Sequence, residues 1–77
     1  MSSELIYDVS KGLRHYTTTT GNRLALGTYY RSSHDDRWQV LTLSQREATQ
    51  RYVWMDVLPD QLPKRLRAEA LLLGVQV

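Results

Sequence analysis

Residues 17–31 read TTTTGNRLALGTYYR, and the fold that the sequence predicts is built outward from this stretch. Its four threonines are β-branched and favour an extended strand. Gly21 and Asn22 suit the two central positions of a type II′ turn, which joins antiparallel strands with a two-residue loop. The stretch therefore predicts a β-hairpin with strands over residues 13–20 and 23–31.

A two-residue loop fixes the register of the hairpin, so the two faces can be read from the sequence. Leu24 and Leu26 lie on one face, and we expect helices to pack against it. On the other face Tyr16 lies opposite Gly27, where its ring would cover the bare backbone of a strand glycine. The side chains of that second face alternate cations with rings: Arg14, Tyr16, Arg23 and Tyr29.

The Arg and Tyr side chains of this second face form the candidate partner-binding surface. Tyr and Arg are among the residues most enriched at the hot spots of protein interfaces. A solvated sheet face with cation–π contacts, worth about 0.5–1 kcal/mol each, would account for the same residues without a partner. The predicted partner-binding residues are Arg14, Tyr16, Arg23, Tyr29 and Arg31.

Further strands are predicted on either side of the hairpin. Residues 4–9 favour a first strand that ends at a turn over residues 10–12. Residues 37–43 favour a strand that follows the hairpin after a polar loop.

This later strand has two registers. With a five-residue loop before it, Trp38 and Val40 join the core face, and Leu41 and Leu43 form an apolar strip on the other face. Such a strip suggests a dimer interface or a groove for a partner. A slip of one residue would reverse the two sets.

The second half of the chain favours helices, because its composition shifts from Thr, Tyr and Gly to Gln, Arg, Glu, Ala and Leu. Residues 44–47 (SQRE) fit the capping box and predict a helix that runs towards Leu58, before Pro59. Residues 52–55 (YVWM) favour a strand, so a short helix followed by a strand is the alternative over residues 51–58.

A last helix is predicted to begin at Asp60 or Leu62, with Pro63 in its first turn, and to end at Gly74. Three apolar residues share one face of it: Leu66, Ala70 and Leu73. Residues 75–77 form either a frayed tail or a short strand at a sheet edge.

Together these elements predict an α+β fold, with an antiparallel sheet of three to four strands followed by two helices that pack on one face. The chain is predicted to form a single small domain over residues 1–77. Chains this short bury little core on their own, so a homodimer is one way in which this chain would gain buried surface.

The composition is that of an ordinary soluble domain, with 42% hydrophobic and 23% charged residues. There is no cysteine, so disulfides, thiol catalysis and Cys-based zinc sites are excluded. No apolar run approaches the roughly 18 residues of a membrane span, and the first residues do not resemble a signal peptide. A cytoplasmic location without membrane contact is expected.

Catalytic, cofactor and metal sites are not predicted. His34, Asp35 and Asp36 are the only potential metal ligands close together in sequence, and His15 is the obvious further donor, whereas a site needs three or four that converge. The sequence contains no nucleophile elbow and no glycine-rich phosphate loop. We therefore expect a protein that is not an enzyme, that holds no metal and that needs no cofactor.

Binding of a protein partner is the function that remains, with the chain as an inhibitor or adaptor. Small cysteine-free proteins of this character are common among phage and mobile-element products that act on host machinery, which is an analogy of size and not of motif. The alternative is nucleic-acid binding by the Arg/Tyr face of the hairpin, where rings stack on bases and Arg meets phosphate. A net charge of only +2 makes nucleic acid the second choice.

Overall fold

The computed structural model describes residues 4–16, 24–32, 37–44 and 50–75. The described residues form five strands: β1 (Leu5–Asp8), β2 (Gly12–His15), β3 (Tyr29–Arg31), β4 (Trp38–Ser44) and β5 (Arg51–Val57). They form one antiparallel sheet in the order β2-β1-β3-β4-β5. A 3-10 helix (Pro59–Gln61) and the α-helix α1 (Lys64–Leu72) follow the sheet. The predicted α+β class is confirmed, but the described sheet has five strands and not the three to four that were predicted.

The first strand and the turn after it are also confirmed, because β1 and β2 pair directly with Asp8 opposite Gly12. Asp8 closes the turn: its Oδ1 atom accepts hydrogen bonds from the Ser10 hydroxyl at 2.7 Å and from the Lys11 N–H at 2.6 Å. Gly12 then adopts a φ of 75°, a left-handed value that a residue without Cβ reaches at little cost.

The predicted hairpin between residues 13–20 and 23–31 is wrong. β2 pairs with β1, and β3 pairs with β1 on one side and with β4 on the other. The strand β1 takes the place between them because Leu5, Ile6 and Tyr7 are all buried. A strand that buries successive residues on both faces belongs in the interior of a sheet. The turn dipeptide of the predicted hairpin lies outside the described residues.

Gly27 is not a strand residue covered by Tyr16. It stands at the third position of a turn in which the Thr28 N–H donates to the Ala25 carbonyl oxygen at 3.2 Å. Its φ of 85° is the left-handed value that glycine supplies at this position of a type II turn. The turn leaves Leu26 exposed, so the predicted place of this side chain in the core is wrong.

Residues 51–57 form a strand and not the second half of a helix, so the alternative of a strand in this region is confirmed. β5 pairs with β4 along its whole length, with Leu41 opposite Trp54 at the centre. A long neighbouring strand lets the β-branched and aromatic residues of β5 outweigh the helix signal before them. Where two helices were predicted, the described chain has one α-helix and a 3-10 helix. Ser44 ends β4, and residues 45–47 of the capping box lie outside the described residues.

The last helix is present, but its predicted start at Asp60 or Leu62 is wrong, because the α-helix begins at Lys64 with Pro63 as the residue before its first turn. The Pro63 carbonyl oxygen accepts a hydrogen bond from the Arg67 N–H at 3.1 Å. Leu66 and Ala70 are fully buried, whereas Leu73 is half exposed, so two of the three residues predicted for the inner face pack against the sheet. Among the described residues, no helix has the length and apolar character that a bilayer-spanning segment needs.

Gly74 ends α1 as predicted, with a φ of 76°. Its N–H donates to the Leu71 carbonyl oxygen at 3.0 Å, and the Val75 N–H donates to the Ala70 carbonyl oxygen at 2.8 Å. This pair of hydrogen bonds is the Schellman motif, which satisfies carbonyl groups at the end of a helix. Val75 packs against the core and lies outside any strand, whereas residues 76–77 of the predicted tail or strand lie outside the described residues.

The chain segment with α1 covers one face of the sheet, which we call the helix face. The core between them consists of Leu5, Tyr7, Trp38, Leu62 and Leu66, with Leu13, Tyr29, Val57 and Val75 packed around these residues. The opposite face, which we call the open face, has no helix on it among the described residues. Because side chains alternate along a strand, Trp38 points to the core while Leu41 and Leu43 point to the open face. Of the two registers that the sequence left open for this strand, the structure has the one with Trp38 on the core face.

Candidate partner-binding surface

The open face carries three aromatic rings that cross the sheet, which we call the aromatic row: Tyr16, Tyr30 and Trp54. Tyr16 follows β2, Tyr30 lies in β3 and Trp54 lies in β5. The ring centroids of Tyr16 and Tyr30 are 6.0 Å apart in an edge-to-face arrangement, and those of Tyr30 and Trp54 are 5.5 Å apart with planes tilted by 45°. Each such pair stabilises by about 0.5–1.5 kcal/mol beyond the area that it buries, so the rings hold one another in place.

The rings of the row reach over the strands that lie between them, β1 and β4. Ile6 in β1 and Leu41 in β4 point to the open face, yet only 1% and 7% of their surface is exposed. Ile6 lies opposite Tyr30 in the register, and Leu41 lies opposite Trp54. Since α1 is on the other side of the sheet, the aromatic row contributes to the burial of these two side chains.

The β5 end of the row is exposed. Trp54 is 37% exposed, and Tyr52, which lies two residues earlier on the same face, is 69% exposed. Leu43 lies opposite Tyr52 and is also exposed. A contiguous patch of aromatic and aliphatic surface of this kind is typical of sites where proteins contact partners.

Two ion pairs border this surface. Arg14 Nη1 is 3.3 Å from Asp8 Oδ2, and Arg37 Nη1 is 3.4 Å from Asp56 Oδ2. The Gln39 side-chain amide also donates to Asp56 Oδ1 at 3.1 Å. The positive charge of each of these arginines is therefore balanced by a carboxylate. A surface with balanced charges suits contact with a protein better than contact with a phosphate backbone.

Two groups of the open face have shifted pKa values. A hydrogen bond from the Ser10 hydroxyl lowers the pKa of Asp8, and the Arg14 guanidinium acts in the same direction. Burial raises the pKa of Tyr30, and a hydrogen bond with Glu4 adds to the rise. Asp8 is therefore charged and Tyr30 is neutral throughout the neutral pH range.

The structure separates the residues that the sequence predicts as the binding surface. Arg14 and Tyr16 lie on the open face. Tyr29 lies on the helix face, where it packs against the core, and Arg31 lies on the same face. Arg23 lies outside the described residues. The assignment of these five residues to a partner stays a prediction, and among the described residues Arg14 and Tyr16 lie on the open face while Tyr29 and Arg31 lie on the helix face.

The partner-binding residues predicted from the sequence do not include Tyr30, Tyr52 or Trp54. The hairpin register assigns Tyr30 to the core face, and the predicted helix gives Tyr52 and Trp54 no common face. Tyr52 and Trp54 can be identified from the sequence if residues 51–57 are taken as a strand, because side chains two positions apart in a strand point to the same face. A strand prediction for this segment places both rings on one face.

Catalytic groups do not converge in the parts of the chain that are described. No three His, Asp or Glu side chains there are grouped as metal ligands would be, and His15 is exposed in β2. A pocket of about 230 Å³ opens at the end of β5, lined by Arg37, Trp38, Asp56, Val57, Leu58 and Pro59. Its two charged groups are already paired with each other. The residues 34–36 lie outside the described ranges, so the absence of a metal there stays a prediction.

No family model, curated protein or solved structure matches this chain. The properties of the open face are therefore the basis for a functional proposal. That face combines rings that brace one another, an exposed aromatic end and arginines that are offset by carboxylates.

Proposed function

We propose that this chain is a small non-catalytic protein-binding domain, acting as an inhibitor or adaptor, that contacts its protein partner through the open face. The observation that carries the proposal is the aromatic row, which leads from half-buried Tyr30 to exposed Trp54. Tyr52 and Leu43 extend the same surface. Trp54 is the proposed anchor of the contact.

The aromatic row supports this proposal because it holds the Trp54 ring in place before a partner binds. A ring that is already packed against Tyr30 loses little side-chain freedom when a partner covers it, and such preorganisation raises affinity. Trp and Tyr are also the residues that most often dominate binding energy at protein interfaces. Arg14, at the other end of the row, is 40% exposed and fits the polar rim of such a contact.

A protein is favoured over nucleic acid by the charges around the row. Rings on an open sheet face could stack on unpaired bases, but phosphate binding depends on cations that a carboxylate does not already offset. On this face Arg14 lies beside Asp8, and Arg37 lies beside Asp56. Of the residues predicted from the sequence, Tyr29 and Arg31 leave the proposed surface because they lie on the helix face.

Affinity purification with matched variants tests the proposal. The tagged chain is compared with a Tyr52→Ala, Trp54→Ala double variant and with a Leu71→Ala, Leu72→Ala control, which removes exposed apolar surface from α1. We expect the wild type and the control to retain the same partner and the double variant to lose it. Equal recovery of that partner by the double variant would contradict the proposal.

Binding to nucleic acid is measured in parallel by fluorescence anisotropy with labelled single-stranded RNA and DNA. We expect no binding at low salt. Binding that weakens steeply as salt rises, and that is lost in the Tyr52→Ala, Trp54→Ala variant, would instead support the nucleic-acid alternative, because phosphate contacts release counterions.

A further inference from the structure

β5 forms one edge of the sheet, and it differs from β2, which forms the other edge. β2 has four residues and lies against α1, since the Arg65 side chain on α1 donates to the Val9 carbonyl oxygen at 3.3 Å and Glu69 approaches Gly12. β5 has seven residues, and no described residue lies along its outer side.

The composition of β5 has few of the features that protect an edge strand from pairing, since its charged residues are limited to Arg51 and Asp56. Its sequence, RYVWMDV, contains no Pro, no Gly and no Lys, and it pairs with β4 without a bulge. Tyr52 and Met55 are mostly exposed although they lie on opposite faces of the strand. A long edge strand with exposed apolar side chains is a template for another strand.

The hydrogen bonds of β4 show which backbone groups of β5 point outward. The Leu41 N–H donates to the Thr28 carbonyl oxygen at 3.0 Å, and the Leu41 carbonyl oxygen accepts from the Gly27 N–H at 2.9 Å. Both backbone groups of Leu41 are thus directed towards β3, so the pair of Leu41 with Trp54 is not hydrogen bonded. The N–H and C=O of Trp54 therefore point to the open edge, as do those of Tyr52 and Asp56 by alternation.

A second copy of β5, related to the first by a twofold axis, can form hydrogen bonds with these outward-pointing backbone groups. A twofold axis perpendicular to the sheet keeps the two open faces on the same side, and it pairs residues of the same face. With the axis at Trp54, the three outward residues are all paired: Trp54 with Trp54 of the second copy, and Tyr52 with Asp56 of the second copy in both directions. Each of these pairs exchanges two backbone hydrogen bonds in an antiparallel ladder.

Charge favours the antiparallel arrangement. Arg51 stands at one end of β5, and Asp56 stands near the other. Antiparallel pairing brings the Arg51 end of each strand to the Asp56 end of the other, whereas parallel pairing would oppose like charges, which destabilises neighbouring strands. With the axis at Trp54, no two like charges of β5 lie opposite each other.

We propose that β5 pairs with β5 of a second copy of this chain, antiparallel and centred on Trp54, to form a homodimer with a continuous sheet of ten strands. The two exposed aromatic ends then meet at the axis, and the two open faces form one surface. The inference goes beyond the proposed function and does not depend on it, because a monomer could bind a partner through the same face.

Single cysteine variants of the full chain test the pairing, since the natural sequence has no cysteine. The mass of the purified wild-type chain in solution is first measured by light scattering after size exclusion. We expect twice the monomer mass of 9.0 kDa. Trp54→Cys is then expected to form a disulfide-linked dimer under mild oxidation, because hydrogen-bonded partners lie about 5.5 Å apart between Cα atoms, within disulfide range.

Arg51→Cys is the matched control on the same strand. In the proposed register, residue 51 lies opposite residue 57 of the second copy, so the thiols introduced at position 51 of the two copies are too far apart to be linked. A mixture of Tyr52→Cys and Asp56→Cys is expected to give the mixed disulfide. A chain that is monomeric at all concentrations overturns the proposal, and so does cross-linking as efficient at residue 51 as at residue 54. Far-ultraviolet circular dichroism confirms that each variant is folded.

Discussion

At Gly12 the end of the Glu69 side chain on α1 lies so close to the backbone of the sheet that an added side chain would have to displace it. A Cβ atom at this position would lie 2.7 Å from Glu69 Oε1, and the φ of 75° is unfavourable for any residue that carries one. The Glu69 carboxylate is itself engaged, with Oε2 3.6 Å from Arg65 Nε. The absence of a side chain at Gly12 thus leaves space for the Glu69 carboxylate beside the first turn of the sheet.

Gly12→Ala is predicted to lower the free energy of unfolding by about 1–3 kcal/mol, since it combines backbone strain with this clash. Gly27→Ala is the matched control, because it has a similar φ of 85° but no atom within 4 Å of the added Cβ. Urea unfolding should show the larger loss for Gly12→Ala, and adding Glu69→Ala should recover part of the difference. Equal losses for the two glycines would show that the close approach has no energetic effect.

Asp8 provides a prediction for the dependence of stability on pH. Its pKa is lowered from the ordinary value of 3.8, so the stability that it contributes is present above that pH and is lost as the pH falls through the lowered pKa. Asp8→Ala should therefore unfold more easily than the wild type at neutral pH, and the difference should shrink as the pH falls below about 4. Ser10→Ala, which removes the strongest hydrogen bond, should give a smaller difference with the same trend. Unfolding curves that differ equally at every pH would contradict this role.

For the secondary-structure elements, the sequence correctly predicted the features that depend on interactions between residues close together in the chain. The first strand and its turn depend on residues near Asp8, and the end of the last helix depends on Gly74, so both could be read from the sequence. The hairpin at Gly21 could not, because a turn signal does not reveal that β1, from the start of the chain, takes the position between the two strands. The interior position of β1, between β2 and β3, goes with the burial of Leu5, Ile6 and Tyr7, which only the assembled sheet shows.

The candidate site was predicted in part for the same reason. Arg14 and Tyr16 could be placed on one exposed face because they alternate on a single strand. Their neighbours could not be identified, since Tyr30 and Trp54 reach the same face through the order of strands in the sheet and not through proximity in sequence. The capping box at residues 44–47 also led to the prediction of a helix over residues 44–58, although the segment after the box has the composition of a strand.

The attachment of α1 to the helix face depends on Leu66. This side chain is fully buried, whereas Leu72, six residues later in the same helix, is 86% exposed. Leu66→Ala is predicted to lower the free energy of unfolding by about 2–5 kcal/mol, which is the usual cost of a cavity in a core. Leu72→Ala should change it by less than about 0.5 kcal/mol. Chemical denaturation of both variants compares the two faces of the helix, and similar losses would contradict the observed orientation.

For the whole molecule, association through β5 predicts that thermal stability depends on protein concentration. Unfolding of a dimer is coupled to dissociation, so Tm should rise as the concentration is increased. Trp54→Lys would place two ammonium groups opposite each other at the axis, and its Tm should be independent of concentration. Leu72→Lys, on the exposed side of α1, is the control that should keep the dependence. A wild-type Tm that is constant over a wide range of concentrations would count against the dimer.

The position of β1 between β2 and β3 also determines the order in which the molecule can fold. β1 and β2 are adjacent in the chain, as are β4 and β5, so these two pairs can form early, whereas the pairing of β1 with β3 must close a long loop. Leu62 and Leu66, which complete the core, come later in the chain than every strand. A nascent chain that ends before them would expose Leu5, Tyr7 and Trp38 to solvent. The fold is therefore completed only after the segment from Leu62 to Val75 has left the ribosome, and an incomplete chain of this kind exposes apolar surface that favours aggregation.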